Sequence, residues 1–379
     1  MNTVFLERAN VARKRNAGES KGFLPIDNSL AAITTLLIIA GLIFTYSSSA
    51  FDSLAYFKRQ VLFDVLGVVI MLFLSQTFTN LIKIIKPAHL LFAVWGLLIW
   101  VLCLPEAANV HRWINLGFFN LQPSEVAKGV LIVYLACYFA KHPNTANDNT
   151  QLVVPLMFTF ITIGLIVAGK DLGIPMLMLM VSFAMFFLAG LKLSKLVYIV
   201  AAVTPIIAVE IYRQPYRIKR LTSFLSPEEA AGSIGYQLVH SFYAIGSGGW
   251  FGKGLGASDL KLEYLPAAHT DFIFAIMCEE IGMIGVFFVI GAFIWLLVRG
   301  LTLARTAKEP FNAYIISGIT ICFTLQAFFN MSVATGLFPT KGLPLPFFSY
   351  GGSSVIVTLA MMGILMNVAA IEKKSDDRR

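Results

Sequence analysis

Asp271, which closes the run His269-Thr-Asp271, is the residue in this chain best suited to chemistry. Glu279 and Glu280 follow within the next apolar stretch. At 1.5 Å per residue they would lie roughly 12 Å further along a helix, with side chains about 100° apart, so at most one shares the face of Asp271. A carboxylate at the start of an apolar span can take a proton from a hydroxyl, ligate a divalent ion, or simply cap its helix. Acids inside an apolar span are costly and point to function. The cations that could serve an anionic substrate are Arg112, Arg217, Lys219, Arg220, Lys253 and Lys341. Arginine suits phosphate because its planar fork donates in pairs, although basic residues beside a span also snorkel to headgroups. Glu125 and Lys128 are three apart on one predicted helix face, either as a pair that neutralises itself or as a polar wall of a cavity. Lys170 and Asp171 sit in a short turn between two apolar runs, and a solvated tight turn would explain them equally well.

The elements that must position these residues are membrane helices. The chain has 379 residues, of which 57% are hydrophobic and 13% charged, against about 25% charged in an ordinary soluble domain. Apolar runs near the 20 residues needed to cross a bilayer occur at 29–49, 61–79, 89–105, 122–141, 152–169, 174–191, 196–212, 272–298, 311–335 and 353–371. The expected fold is therefore all-α and polytopic, with ten transmembrane helices. The first run is longer than a signal-peptide core and reads as an uncleaved span. Lys and Arg are more frequent in the segments that are internal when the N-terminus is cytoplasmic, which puts both termini inside. This divides the chain into a basic cytoplasmic tail (1–28), a membrane domain (29–371) with a large external loop (213–270), and a charged cytoplasmic tail (372–379).

Two stretches break the pattern. Residues 246–271 are glycine-rich and read as non-helical up to Asp271. Residues 336–352, rich in Pro and Gly, are too apolar for a solvated loop. Non-helical backbone at membrane depth must be buried in protein or line a cavity, so a re-entrant loop is expected between the ninth and tenth spans. Several classes are excluded. The net charge of +8 is spread along loop ends, so no nucleic-acid surface is expected. The glycines of 246–256 follow no strand and make no nucleotide loop. The four cysteines lie in apolar runs without metal spacing and read as small hydrophobes. No Ser-x-x-Lys or Lys-Thr-Gly signature for transpeptidation is present. The residues alone leave an enzyme and a transporter open: Glu125, Lys128, Glu279 and Glu280 could instead line a path for a lipid or an ion. A membrane scaffold is a third class.

The motifs Arg112-Trp-Ile-x-Leu-Gly, Gln122-Pro-Ser-Glu-x-Ala-Lys128, Asp171-Leu-Gly173, Gly235-Tyr-Gln, Ser247-Gly-Gly, Gly252-x-Gly-x-Gly256, His269-Thr-Asp-Phe-Ile-Phe274, Glu279-Glu-x-Gly282 and Pro344-Leu-Pro-Phe-x-Ser-Tyr-Gly-Gly-Ser-Ser354 stand in this order. With them the chain resembles the SEDS family of bacterial cell-wall synthesis, over about residues 29–371. Thr340-Lys-Gly-Leu-Pro-Leu-Pro346 looks closer to its division branch (FtsW) than to its elongation branch (RodA). The resemblance implies a peptidoglycan glycosyltransferase of the bacterial inner membrane that polymerises lipid II at the outer face, with Asp271 as the essential acid. Trp113, Gln122, His269 and Ser349 join the substrate-binding candidates through these motifs. It further implies undecaprenyl-pyrophosphate-linked glycan as donor, a class B penicillin-binding protein transpeptidase and other division proteins as partners, no organic cofactor, and Mg²⁺ or Mn²⁺ with Asp271 as a ligand as one option. The sequence departs from the family at Ala267, where Glu is usual, and at Lys170, where Pro is common.

Overall fold

The predicted apolar runs all become helices. A computed structural model of the chain describes residues 24–49, 54–105, 110–117, 119–146, 148–213, 215–226, 235–258, 270–339 and 342–376. The first helices are α1 (Asn28–Ser49), α2 (Leu54–Ile84) and α3 (Pro87–Cys103). A small antiparallel hairpin follows, β1 (Ile114–Asn115) with β2 (Asn120–Leu121), Ile114 opposite Leu121. Then come α4 (Pro123–Lys141), α5 (Asn149–Ala168), α6 (Gly173–Leu188) and α7 (Leu193–Tyr212). The expected long loop holds two further helices, α8 (Pro215–Leu225) and α9 (Tyr236–Gly248). The chain ends with α10 (Ile273–Thr306), α11 (Pro310–Ala334) and α12 (Gly352–Asp376).

Helix starts follow from local chemistry. Proline opens α3, α4 and α11, where its missing N–H is not needed. Asp148 caps α5 by accepting from the Thr150 amide (2.9 Å). Asp27 does the same for α1, accepting from Ser29 and Leu30 (3.1 and 3.0 Å). The α5–α6 break at Lys170–Leu172 uses a positive φ at Lys170 (64°), and the two runs are separate helices.

Among the described residues, eight helices are long and apolar enough to cross a membrane; Pro87–Cys103 and Gly173–Leu188 are apolar but shorter. The core centres on α11, which packs against α4, α6, α10 and α12 and buries Ile315, Ile319, Phe323 and Ala327. In contrast, α7 leaves Leu193, Val197, Tyr198 and Val209 exposed, as a helix facing lipid would.

The apolar stretch after α11 is buried as expected: Leu343, Leu345, Phe347, Phe348 and Ser349 are nearly inaccessible. It packs on α1, where Thr45 Oγ1 donates to the Phe348 carbonyl (3.2 Å) and Gly41 lies against the Phe347 carbonyl. The glycine-rich stretch differs from expectation. Residues 246–248 finish α9, and the non-helical chain begins at Gly249. The terminal Gly248 remains helical because it presses on α10, where an added Cβ would meet the Cys278 carbonyl carbon at 2.8 Å.

Candidate active site

Asp271 sits in the turn 270–272 that leads into α10. Two elements grip this turn. From α11, the Asn330 side-chain amide donates to the Asp271 carbonyl (2.9 Å) and to the Leu343 carbonyl (2.7 Å). From the apolar loop, the Ser349 hydroxyl donates to the Thr270 carbonyl (2.6 Å) and accepts from the Leu345 amide (2.7 Å). The loop comes so close that a Cβ on Gly342 would lie 2.8 Å from Asp271 Oδ2. Asp271 is half-buried as a residue, and its carboxylate accepts no hydrogen bond among the described residues. Burial raises its pKa to about 6; Arg220 and Arg112 pull it down, and Asp171 adds to the rise. Asp271 is thus a largely desolvated acid beside two guanidinium groups and a second carboxylate.

Arg112 leaves the hairpin to meet the α5–α6 turn. Its Nη2 donates to the Lys170 carbonyl (3.0 Å) and lies 3.6 Å from Asp171 Oδ1. Asp171 also accepts from the Gly173 amide (3.0 Å); burial raises its pKa against the pull of Arg112. Arg112, Asp171, His111 and Ser124 line a small cleft floored by Leu98, Val101 and Ile166. Gln122 donates its backbone N–H to Ser353 Oγ (3.0 Å) and its side-chain amide to Ser124 Oγ (3.1 Å). Ser353 in turn donates to the Asn120 carbonyl (2.6 Å), tying the hairpin to α12. Trp113 is exposed nearby in sequence.

Glu125 and Lys128 form a buried ion pair (2.8 Å), each about 1% exposed. Lys128 also donates to Gln326 Oε1 (2.7 Å), and Gln326 Nε2 donates to the Pro344 carbonyl (2.8 Å). The pair therefore braces α4 against α11 and the apolar loop.

Glu279 and Glu280 do not join Asp271. Glu279 is fully buried and accepts from Lys253 (2.7 Å), Ser258 (2.5 Å) and Ser247 (3.2 Å). Glu280 accepts from Ser47 of α1 (2.5 Å). Adjacent on the helix, the two point about 100° apart, and just beyond them α10 breaks at Gly282 (φ 65°, ψ −175°). The break frees backbone groups, and the loop after α9 fills it: Lys253 and Gly254 donate to the carbonyls of Glu279 and Glu280, while Met283 and Ile284 donate to those of Gly249 and Trp250. The glycines keep these backbones close; a Cβ on Gly282 would stand 2.6 Å from the Trp250 carbonyl.

α1 and α10 touch at Asp27–Arg299 and at Ser47–Glu280. These contacts are separated by about 20 residues of helix, or roughly 30 Å, which equals the hydrocarbon thickness of a bilayer. Glu280 thus lies about one hydrocarbon thickness from Arg299 along the helix.

Lys219 is an exposed residue of α8, and Arg220 of the same helix acts on Asp271. Arg217 belongs to α8, but its side chain lies outside the described residues, as do His269 and Lys341. No three His, Cys, Asp or Glu side chains converge as metal ligands among the described residues. Asp171 is engaged by Arg112. Sequence reasoning missed Gln326 and Asn330. Their signal was present: two amides four apart in an apolar span share one face and need partners there.

Helices of membrane length surrounding a buried polar centre define a polytopic membrane protein with an enclosed acid. The model of the FtsW/RodA/SpoVE family, described as "Cell cycle protein", matches residues 27–374; the chain belongs to that family. It is 38% identical over 354 residues to the probable peptidoglycan glycosyltransferase FtsW of Trichlorobacter lovleyi, covering 89% of this chain and 92% of that one. The protein of the same description from Saccharophagus degradans is 36% identical over 369 residues, covering 93% and 94%. Among solved structures, a chain of a peptidoglycan synthase complex, reported for the coordination of polymerization and crosslinking, superposes with a TM-score of 0.79 at 28% identity, covering 92% of this chain and 99% of that chain. Thermus thermophilus RodA gives 0.70 at 26% identity, covering 92% and 98%.

Proposed function

We propose that this chain is a peptidoglycan glycosyltransferase that polymerises lipid II at the outer face of a bacterial cytoplasmic membrane during division. Its ten apolar helices cross the membrane with both termini inside. A class B penicillin-binding protein cross-links the product. Family membership and the names of the relatives support the reaction class. Similarity to a chain of a solved synthase complex that coordinates polymerization with crosslinking supports a cross-linking partner. The observation that carries the site is Asp271: a half-buried residue whose carboxylate is uncommitted among the described residues and lies under the influence of Arg220 and Arg112.

The reaction joins the C4 hydroxyl of an acceptor sugar to the anomeric carbon of a glycan carried on undecaprenyl pyrophosphate. The bond changes from α to β, which a single displacement achieves. Asp271 takes the hydroxyl proton as the new bond forms. Arg112 and Arg220 stabilise the charge that gathers on the departing pyrophosphate, and Lys253, held by Glu279, is a weaker candidate.

The transporter reading needs its charged residues on one path. Glu125 and Lys128 instead brace α4 against α11, Glu279 holds the glycine loop, and Glu280 meets α1. The test is reconstitution of the purified chain in liposomes with lipid II and its partner. Glycan strands are the expected product; translocation of lipid II without polymer would overturn the assignment.

A further inference from the structure

We infer that Asn330 is the positioning residue of this site and that, with Gln326, it forms an amide ladder setting where Asp271 stands. This rests on the proposed role of Asp271. Gln326 and Asn330 are one helical turn apart on α11, both nearly inaccessible. Their side-chain amides donate to consecutive carbonyls of the apolar loop, Pro344 and Leu343 (2.8 and 2.7 Å). That loop has no strand partner, so its buried carbonyls need such donors. The two amides differ in what else they hold. Gln326 accepts from Lys128 and so joins the Glu125–Lys128 pair. The Asn330 amide nitrogen also donates to the Asp271 carbonyl (2.9 Å).

Both contacts of the Asn330 nitrogen are to carbonyl oxygens, so a flipped amide would set oxygen against oxygen twice. The orientation is therefore fixed. Asn330 Oδ1 is left buried without a hydrogen-bond partner among the described residues. Leaving an acceptor unsatisfied is costly, and here that cost is set against two donated bonds, one of which holds the turn that carries Asp271. The same nitrogen holds the acid turn and the loop together at the place where Gly342 comes up against the Asp271 carboxylate. Asn330 touches no reacting atom in this scheme. It acts through Asp271 by fixing the turn and the narrow gap that keeps the carboxylate dry.

The groups that face Asp271 define what a pH measurement would report. Among the described residues they are Arg220 from α8, Arg112 after α3, and Asp171 from the α5–α6 turn. Loosening the turn admits water, relieves the burial, and moves the acid limb of the rate profile to lower pH while these three groups remain.

The experiment compares wild type, Asn330→Ala, Asn330→Asp and Asp271→Asn in lipid II polymerisation by the purified full chain with its partner, across pH. The expected result for Asn330→Ala is a fall in kcat on the order of 100-fold, KM within about threefold, and an acid limb displaced downward. Asn330→Asp turns an oxygen toward each carbonyl and is expected to lose at least as much; it decides the matter if the alanine variant does not yield monodisperse protein. A kcat and acid limb like wild type in whichever variant is folded would overturn the inference, as would a rise in KM alone. Full activity of Asp271→Asn would instead overturn the catalytic reading beneath it, so the two failures are distinct.

Discussion

Asp271 and the other acids differ in what their carboxylates already do. Glu125 accepts from Lys128 on its own helix, Glu279 and Glu280 accept from side chains of neighbouring elements, and Asp171 faces Arg112. The oxygens of Asp271 are uncommitted among the described residues, which suits a group that must accept a proton. Because burial raises its pKa to about 6, the base is ionised above that value and protonated below it. The polymerisation rate at saturating lipid II is therefore expected to rise with pH through about 6 and to level off above it, measured as initial rate against pH; a flat profile from pH 5 to 8 would contradict this. Arg220→Ala removes one cation from the site. A lost charge-assisted contact is worth about 1.5–3 kcal/mol, so kcat/KM for lipid II is expected to fall by about tenfold or more, and an unchanged kcat/KM would take Arg220 out of the site.

At the scale of elements, the break in α10 is the least ordinary feature. It is stable because the loop after α9 replaces the hydrogen bonds the helix gives up. Gly282→Ala would place a side chain at φ 65° against the Trp250 carbonyl. The backbone strain alone costs about 1–3 kcal/mol, so a lower unfolding temperature in detergent is expected, with Lys253 and Ser258 freed from Glu279. Lys128→Met would strand the buried Glu125 carboxylate at a cost of about 3–5 kcal/mol, visible in the same melting experiment. The helices were legible in the sequence because apolar runs of membrane length leave the backbone little choice. The break was not, since Glu279-Glu-Ile-Gly282 reads as ordinary helix and the φ of Gly282 depends on a loop more than 20 residues earlier. The buried loop 342–351 was legible from its Pro and Gly content, but its partners Gln326 and Asn330 were not singled out. The destinations of Glu279 and Glu280 depend on Lys253 and Ser47, which only the folded chain brings to them.

For the whole molecule, the contacts Asp27–Arg299 and Ser47–Glu280 mark two faces about one hydrocarbon thickness apart. The proposed topology puts the first outside the reach of external reagents and the loops after α8 within it. Cys103 is exposed, so a Cys103→Ser background is needed. In that background an impermeant maleimide added to intact cells with a permeabilised outer layer should label Ser226→Cys, whereas Asn144→Cys should react only after lysis. The reverse pattern would invert the molecule and move the site to the cytoplasm. The chemistry proposed for this architecture nevertheless converges on one side chain. Its most direct test is the yield of glycan strands from purified lipid II by the Asp271→Asn variant, assayed beside wild type at equal folded concentration. The variant is expected to insert, fold and bind its partner while forming no polymer above background; strands at a rate near that of wild type would contradict the role given to Asp271.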